Sequence, residues 1–229
     1  MSLKVRVCCT LLWNGRTLVK GKSFAADRPV GHPLQAINVF QMREVDEIIF
    51  LDVTATKEQR RPDFKLIESL ARECFVPLTV GGGVKSVDDV RDLLRAGADK
   101  VSIKSMPQIL DAAANTFGSQ AIMYCDDFQG PVWMSGPAPY ARTAGEILTQ
   151  SKPRDGTMEG YDCEAIREYA RHYSQPVIAS GGCGSYEHMA QAIDAGASAV
   201  AAGAMWLFTD QTPLEAKKYL AAKGYPVRL

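Results

Sequence analysis

Two glycine-rich turns contain the residues of this sequence best suited to bind a charged substrate. One covers residues 81–83 and the other residues 180–182, and each follows a short apolar run and precedes a helical pattern. Glycine lets backbone N–H groups approach an anion closely because no Cβ intervenes, and the start of a helix adds partial positive charge. Two such turns favour phosphate binding more than one, since a single pair of glycines also occurs in ordinary tight turns. The predicted phosphate-binding glycines are Gly82, Gly83, Gly181 and Gly182.

Each predicted phosphate site is completed by a segment that follows the next apolar run along the chain. For the first turn this segment contains Lys104 and Ser105, and for the second turn it contains Gly203 and Ala204. A ligand that used both sites would carry a phosphate at each end and would span the opening between them.

An internal repeat relates the two turns. A constant offset of 99 residues aligns the two stretches without a gap. Agreement over so many positions is not expected by chance, so we interpret the chain as two fused halves of one design. The aligned pairs include Pro77 with Pro176, Gly82 with Gly181, Ser86 with Ser185, Ala96 with Ala195, Glu47 with Glu146 and Asp63 with Asp162.

Short apolar runs alternate with amphipathic helical patterns along the chain. Alternation of this kind is typical of a parallel sheet, and eight repeats favour closure, so we predict a single (β/α)8 TIM barrel domain over residues 1–229. The predicted strands are 5–12, 47–53, 76–80, 100–103, 121–127, 146–151, 176–179 and 199–202. The predicted helices are 33–44, 63–74, 87–96, 107–117, 163–173, 186–195 and 213–223.

The fifth helix segment of the predicted barrel is unusually short. Only 18 residues, 128–145, separate the fifth and sixth strands, and they include several glycines and prolines. A helix of normal length does not fit, although residues 138–144 could supply one or two turns. The outer wall is therefore expected to be thin here, which would suit either a docking partner or an irregular loop.

Composition excludes several classes of function. Lys and Arg total 26 and Asp and Glu total 26, so no global field attracts the chain to nucleic acid or to an anionic membrane. The apolar runs are strand-sized and no signal peptide is visible. The six cysteines form no Cys-x-x-Cys pair and no Cys/His cluster. We therefore predict a cytoplasmic protein without a metal or another cofactor.

Longer motifs connect the chain to a known family. They are residues 50–55 (FLDVTA), 77–83 (PLTVGGG), 96–103 (AGADKVSI), 117–120 (FGSQ), 154–157 (RDGT) and 176–182 (PVIASGG). Together they resemble HisF, the cyclase subunit of imidazole glycerol phosphate synthase, over nearly the whole chain. The resemblance implies that a glutaminase docks at the N-terminal face of the barrel. Ammonia would then pass along the axis and attack a bis-phosphate ribonucleotide, giving imidazole glycerol phosphate and AICAR.

The resemblance also assigns the acid/base chemistry. Family members use one aspartate on strand one and one on strand five, and the second matches Asp127 here, at a strand end that suits proton transfer. The first is absent, since alignment on Cys9 puts Leu11 in its place. Loss of an acid/base group costs roughly 10²- to 10⁴-fold in rate, so we expect impaired cyclisation. By the same resemblance Asp155 and Gly156 belong to the phosphate sites.

The ammonia-handling residues of the family are better kept. The family closes the lower end of its barrel with four charged residues, and Glu47, Lys100 and Glu146 match three of them. The fourth, an arginine, aligns with Val5, which Lys4 and Arg6 flank. Residues that face the glutaminase in the family are matched by Asp99 and Gln120.

Four functions are compatible with this pattern. The first is an ammonia-conducting subunit with little cyclase activity, similar to the HisF-like proteins of sugar-biosynthesis operons, where a third enzyme uses the ammonia. The second is an active cyclase in histidine biosynthesis. A related phosphoribosyl isomerase is disfavoured, because it too calls for an aspartate on strand one and leaves the gate unexplained. The fourth, a non-enzymatic phosphosugar-binding scaffold, differs from the first only in whether ammonia passes.

Overall fold

The computed structural model of the chain describes residues 4–25, 28–130 and 139–229. The first half contains β1 (Arg6–Trp13), β2 (Leu18–Lys20), β3 (Arg28–Gly31), α1 (Pro33–Met42), β4 (Glu47–Asp52), α2 (Phe64–Glu73), β5 (Leu78–Gly81), α3 (Val87–Arg95), β6 (Lys100–Ile103) and α4 (Leu110–Phe117). The second half contains β7 (Ile122–Phe128), β8 (Glu146–Ser151), α5 (Cys163–His172), β9 (Val177–Ser180), α6 (Tyr186–Asp194), β10 (Ala199–Ala202), α7 (Ala204–Phe208) and α8 (Pro213–Ala222).

Eight parallel strands close into a barrel, which confirms the predicted (β/α)8 fold. The strands follow the order β1, β4, β5, β6, β7, β8, β9 and β10, and the pairing of β10 with β1 closes the ring. In that pairing Arg6 lies opposite Ala199 and Cys9 lies opposite Ala202. All strand carboxyl ends therefore meet at one rim, called the mouth below. Each described helix is too short or too polar to cross a membrane.

Three elements, β2, β3 and α7, were not predicted from the sequence. Strands β2 and β3 form an antiparallel extension of β1 that reaches towards the mouth. They are short, and β3 is largely exposed and contains Pro29, so neither produces a clear apolar pattern. Helix α7 is a five-residue apolar run directly after β10, which sequence periodicity cannot separate from the strand.

The internal repeat is visible in the backbone. Asp63 and Asp162 cap α2 and α5 with nearly identical angles, φ −83° and ψ 84° against φ −81° and ψ 83°. Gly97 and Gly196 follow α3 and α6 at φ 104° and 107°. Positions 99 residues apart therefore adopt the same local structure, as the sequence offset predicts.

Barrel strands bury alternate residues in two separate layers. One group of buried residues lies inside the barrel, and a larger group lies between the strands and the surrounding helices. On β1 the inner layer contains Cys8 and Leu12, whereas Val7, Cys9 and Leu11 belong to the outer layer. Since neighbouring strand residues point to opposite faces, this alternation decides which side chains reach the mouth.

The segment between β7 and β8 is short, as predicted. Its described part contains a single 3₁₀ turn, Pro139–Thr143, in place of a full α-helix. Residues 131–138 of the predicted thin wall lie outside the described residues.

Candidate functional site at the barrel mouth

A cavity of about 280 Å³ opens at the mouth of the barrel. Its polar lining includes Lys104, Gln150 and Asp127, and its apolar lining includes Leu12 and Leu51. Strand ends supply most of these groups, because the carboxyl ends of a parallel barrel converge on one rim. Of the residues predicted from the sequence, the cavity brings together Gly82, Gly83, Lys104, Ser105, Asp127 and Asp155.

Asp127 forms an ion pair with Lys104 inside this cavity. The Lys104 ammonium donates to Asp127 Oδ2, and the Asp127 side chain is 12% exposed while that of Lys104 is 53% exposed. The Lys104 side chain is the more exposed of the two and also lines the cavity, so it can contact a ligand bound there. The pair thus places a proton acceptor beside a cation at the place predicted for acid/base chemistry.

The first glycine turn packs too closely against the chain to carry a side chain. Gly82 has φ 101°, and a Cβ there would lie 2.1 Å from the carbonyl oxygen of Asp52. Asp52 is itself fixed, because its carboxylate accepts from the backbone N–H of Thr54 and Ala55 at 3.1 and 2.9 Å and from Arg60 at 3.1 Å. Glycine is therefore required at this turn by the close approach of two strand ends.

The position of the missing strand-one aspartate is corrected by one residue. Leu11 is 1% exposed and packs in the outer layer, so it does not face the mouth. Leu12 lies in the inner layer and lines the cavity. The strand register agrees, because Leu12 pairs with Leu51 and Asp127 pairs with Gln150. Leu51 and Gln150 are 99 residues apart, so they occupy equivalent positions in the two halves. The pseudo-symmetric counterpart of Asp127 is therefore Leu12.

Asp155 lines the cavity, but its carboxylate already has partners. Oδ1 accepts from Lys20 Nζ at 2.6 Å, and both side chains are buried. The Asp155 carbonyl also accepts from the N–H of Ser23 at 2.9 Å, which holds the loop after β2 against the mouth. Asp155 therefore orients Lys20 and this loop. Lys20 was not identified from the sequence, where it appears as one lysine in a polar stretch.

The second glycine turn lies outside this cavity. The residues predicted for the second phosphate site, Gly156, Gly181, Gly182, Gly203 and Ala204, are described in the structure but contribute nothing to its lining. The turn keeps its expected shape, with φ 90° at Gly181 and 100° at Gly182. The cavity thus contains both the first predicted phosphate site and Asp127, and the second glycine turn does not contribute to its lining.

A ring of four charges closes the opposite end of the barrel. Arg6, Glu47, Lys100 and Glu146 are the first residues of β1, β4, β6 and β8. The guanidinium of Arg6 lies 2.5 Å from both Glu47 Oε2 and Glu146 Oε1. The ammonium of Lys100 lies 3.1 Å from Glu47 Oε1 and 2.6 Å from Glu146 Oε2. The cations and carboxylates therefore alternate around the axis.

Arg6 supplies the fourth member of this ring, and the predicted alignment with Val5 is wrong by one residue. Val5 belongs to the outer layer, which follows from the strand alternation. Burial alone would lower the pKa of Arg6, but Cys8 and the two glutamates together raise it by more, so the pKa lies above its ordinary value and the guanidinium stays charged. Glu47 is fully buried and also accepts from Thr79 Oγ1 at 2.7 Å. The ring is thus fully paired.

Asp99 and Gln120 lie on the same face as the ring. Asp99 directly precedes Lys100, and its carboxylate accepts from the N–H of Leu78 at 2.8 Å. Gln120 lies in the 3₁₀ turn Ser119–Ala121 before β7. Both residues are exposed, so a protein that covered the ring could contact them.

Two groups beside Asp127 have shifted pKa values. Burial raises the pKa of Asp126, and the nearby negative charge of Asp127 raises it further, although the hydroxyl of Tyr169 donates to it at 2.5 Å. Burial also raises the pKa of the Cys125 thiol, which lines the cavity. Cys125 is therefore a neutral thiol, and Asp127 is the cavity-lining carboxylate for which the sequence predicts the acid/base role.

Comparison with known proteins shows the family to which the chain is similar. The family described as "Histidine biosynthesis protein" matches residues 7–212. The imidazole glycerol phosphate synthase subunit HisF of Thermobifida fusca (strain YX) is 40% identical over 256 aligned positions that cover all of both chains. HisF of Frankia casuarinae is 39% identical over 254 positions, again covering both chains fully. HisF of Dehalococcoides mccartyi is 41% identical over 244 positions, or 96% of each chain.

Proposed function

The chain belongs to the HisF family of histidine biosynthesis proteins, and from this we propose that it is the synthase subunit of a glutamine-dependent complex. In this proposal a HisH-like glutaminase docks over the charged ring. Ammonia released from glutamine enters the barrel through the ring and travels along the axis. It then meets a phosphorylated acceptor in the mouth cavity.

The ring of Arg6, Glu47, Lys100 and Glu146 is the observation that carries this proposal. A barrel end can be closed by apolar side chains, and replacing buried ion pairs with such side chains is often neutral or stabilising. Four alternating charges on the axis are therefore poorly explained by stability alone. They do suit a gate, because a small polar molecule can replace one pairing at a time.

The mouth supplies the remaining parts of a synthase site. The first glycine turn and Ser105 are placed to hold a phosphate, and Lys104 adds positive charge beside them. Asp127 is placed to accept or donate a proton next to the held substrate, as general acid/base catalysis requires. Leu12 and Leu51 help to keep water from this part of the cavity.

The names of the relatives favour cyclisation as the reaction at this mouth. Each is an imidazole glycerol phosphate synthase subunit, and identity near 40% extends over the full chain. In this candidate the chain forms imidazole glycerol phosphate, with Asp127 as the acid/base group. Another side chain must then perform the task of the strand-one aspartate.

Leu12 favours a second candidate, in which the chain conducts ammonia but cyclises poorly. A leucine cannot transfer a proton, and it faces the cavity at the position pseudo-symmetric to Asp127. The ammonia would then serve a third enzyme, as in the HisF-like proteins of sugar biosynthesis. Both candidates share the glutaminase and the axial path.

Two experiments test the proposal and separate its candidates. The chain is first mixed with a HisH-like glutaminase, and glutamine hydrolysis is measured. Stimulated hydrolysis supports the shared proposal, whereas neither a complex nor stimulation contradicts it. The gene is then placed in a strain that lacks the cyclase. Growth without histidine supports the first candidate, and failure of a well-expressed chain supports the second.

A further inference from the structure

Three large apolar side chains are exposed at two neighbouring helix ends. Val39 and Met42 lie in the last turn of α1 and are 43% and 85% exposed. Phe75 lies two residues after the end of α2 and is also 85% exposed. A single exposed apolar residue is normal on a protein surface, whereas a group of them indicates an interaction site. These three residues are called the apolar patch below.

The side chain of Gln41 connects the two helix ends. Its Nε2 donates to the carbonyl oxygen of Glu73 at 2.8 Å, and its Oε1 accepts from the backbone N–H of Phe75. Gln41 directly precedes Met42 in the chain, so these bonds keep Met42 and Phe75 on adjacent parts of the surface. The apolar patch is therefore one preformed surface made by two elements.

The internal repeat shows that the fold does not require this patch. Ser174 and Ala141 lie 99 residues after Phe75 and Met42. Ser174 is exposed but polar, and Ala141 is fully buried. The second half therefore forms the equivalent structure without an exposed apolar side chain at either position. Because side chains that are 85% exposed gain little from burial within the chain, the patch calls for an explanation other than folding.

The apolar patch is continuous with the face that carries the charged ring. Helix α1 leads into β4, which starts at the ring residue Glu47, and α2 leads into β5, which starts at Leu78. Asp99 precedes β6 and accepts from the N–H of Leu78, and Gln120 precedes β7. The patch, Asp99 and Gln120 thus lie before four consecutive barrel strands. Ser174 precedes β9, which is four strands from β5 and so lies across the axis.

From this arrangement we infer that the glutaminase docks off the barrel axis, anchored on Val39, Met42 and Phe75. The inference rests on the proposed function for the identity of the partner, and it adds the position and the chemistry of the contact. The partner presents apolar side chains to the patch and polar groups to Asp99 and Gln120, as interfaces combine an apolar centre with a polar rim. Since a few buried anchors carry most of the binding energy, Phe75 and Met42 dominate the affinity.

The affinity of the full chain for a HisH-like glutaminase, measured by isothermal titration calorimetry, tests this inference. Phe75→Asp and Met42→Asp each place a carboxylate in the patch and should weaken binding about tenfold or more. Ser174→Asp, the matched control, adds the same charge across the axis and should change the Kd less than about threefold, as should the apolar replacement Phe75→Leu. All these positions are exposed, so thermal unfolding of each variant should match wild type.

Two results of the titration would overturn the inference. They are equal weakening by Phe75→Asp and Ser174→Asp, and an unchanged affinity of Phe75→Asp. Sedimentation velocity of the chain alone gives a third: a wild-type dimer that Phe75→Asp dissociates, with glutaminase binding unchanged, would assign the patch to a second copy. In these three cases the wild type still binds the glutaminase, so the proposed function stands. Neither binding nor stimulated hydrolysis with the wild type would contradict the proposed function and the inference together.

Discussion

Leu12 and Leu11 are adjacent in the sequence, but they meet different environments. Leu12 faces the mouth cavity, whereas Leu11 is 1% exposed between the barrel and its helices. A carboxylate at position 12 would be near water and opposite Asp127. At position 11 it would be buried without a partner, which is strongly unfavourable.

The first prediction compares Leu12→Asp with Leu11→Asp. Leu12→Asp should raise the ammonia-dependent cyclase rate, by up to about 10²-fold, because it restores a second acid/base group at the mouth. Leu11→Asp should give no gain and should destabilise the fold by several kcal/mol. Cyclase assays with ammonium salts and thermal unfolding of both variants check this. A folded Leu12→Asp variant with an unchanged rate would mean that other departures, such as the shortened segment before β8, are limiting.

The second prediction concerns Asp126, whose pKa is raised by burial from an ordinary value of 3.8. A carboxyl with a raised pKa in the folded state contributes stability when it is protonated at low pH. That contribution is lost as the pH rises through the raised pKa. Asp126→Asn has no such titration, so its free energy of unfolding relative to wild type should increase as the pH rises above the ordinary value of 3.8. Urea unfolding at several pH values measures this difference, and parallel pH profiles would contradict it.

Side chains that belong to recognisable motifs could be located from the sequence, whereas side chains whose position depends on the strand register were displaced by one residue. Asp127 and Lys104 follow recognisable strands, and both reach the cavity. Arg6 was missed because a shift of one residue moves a strand side chain to the opposite face. Lys20 was missed because its significance comes from Asp155, 135 positions away in the chain, and no local pattern reports that contact.

Among the elements, the repeated helix ends show how far the sequence offset determines local structure. Gly97 packs against Ala71 of α2, and Gly196 packs against Ala170 of α5. A Cβ on these glycines would lie 2.6 Å and 2.7 Å from the alanine side chains. These alanines are themselves 99 residues apart. Gly224 ends α8 at φ 88°, but no atom lies within 4 Å of its would-be Cβ.

The third prediction is that Gly97→Ala and Gly196→Ala destabilise the fold equally. Both variants incur the left-handed backbone strain of about 1–2 kcal/mol and also a clash with the facing alanine. Gly224→Ala, the matched control, incurs the backbone strain alone and should be milder. Free energies of unfolding from denaturant titrations provide the comparison. A large difference between the two equivalent variants would argue against structural equivalence of the halves.

Elements with strong periodicity were predictable, and those defined by tertiary contacts were not. Three strands, including Lys100–Ile103 and Glu146–Ser151, have the predicted bounds, because buried β-branched runs end at clear turns. The β2–β3 extension depends on pairing with β1, and α7 depends on packing at the barrel rim. Neither has a periodic sequence of its own.

At the scale of the whole molecule, the ring and the mouth lie at opposite ends of one barrel. The alternating charges of the ring are paired only as a set, so removal of one cation leaves the two carboxylates with too little positive charge beside them.

The fourth prediction is that Lys100→Met destabilises the fold by about 3–5 kcal/mol, because Glu47 is fully buried. The double variant Lys100→Met with Glu146→Gln should recover part of this loss, since it removes one unpaired carboxylate. Denaturant unfolding measures both variants, and equal stability of single and double variants would argue against a coupled ring.

The direct test of the axial arrangement is the rate of glutamine hydrolysis by the HisH-like glutaminase in the presence of this chain. Three forms are compared: wild type, Gln120→Lys on the ring face, and Glu159→Lys in the loop that follows β8 at the mouth. Both substituted residues are exposed, so each variant should fold. Wild type and Glu159→Lys are expected to stimulate hydrolysis at least tenfold, and Gln120→Lys much less. Stimulation lost in Glu159→Lys but kept in Gln120→Lys would place the glutaminase at the mouth and would contradict docking over the charged ring.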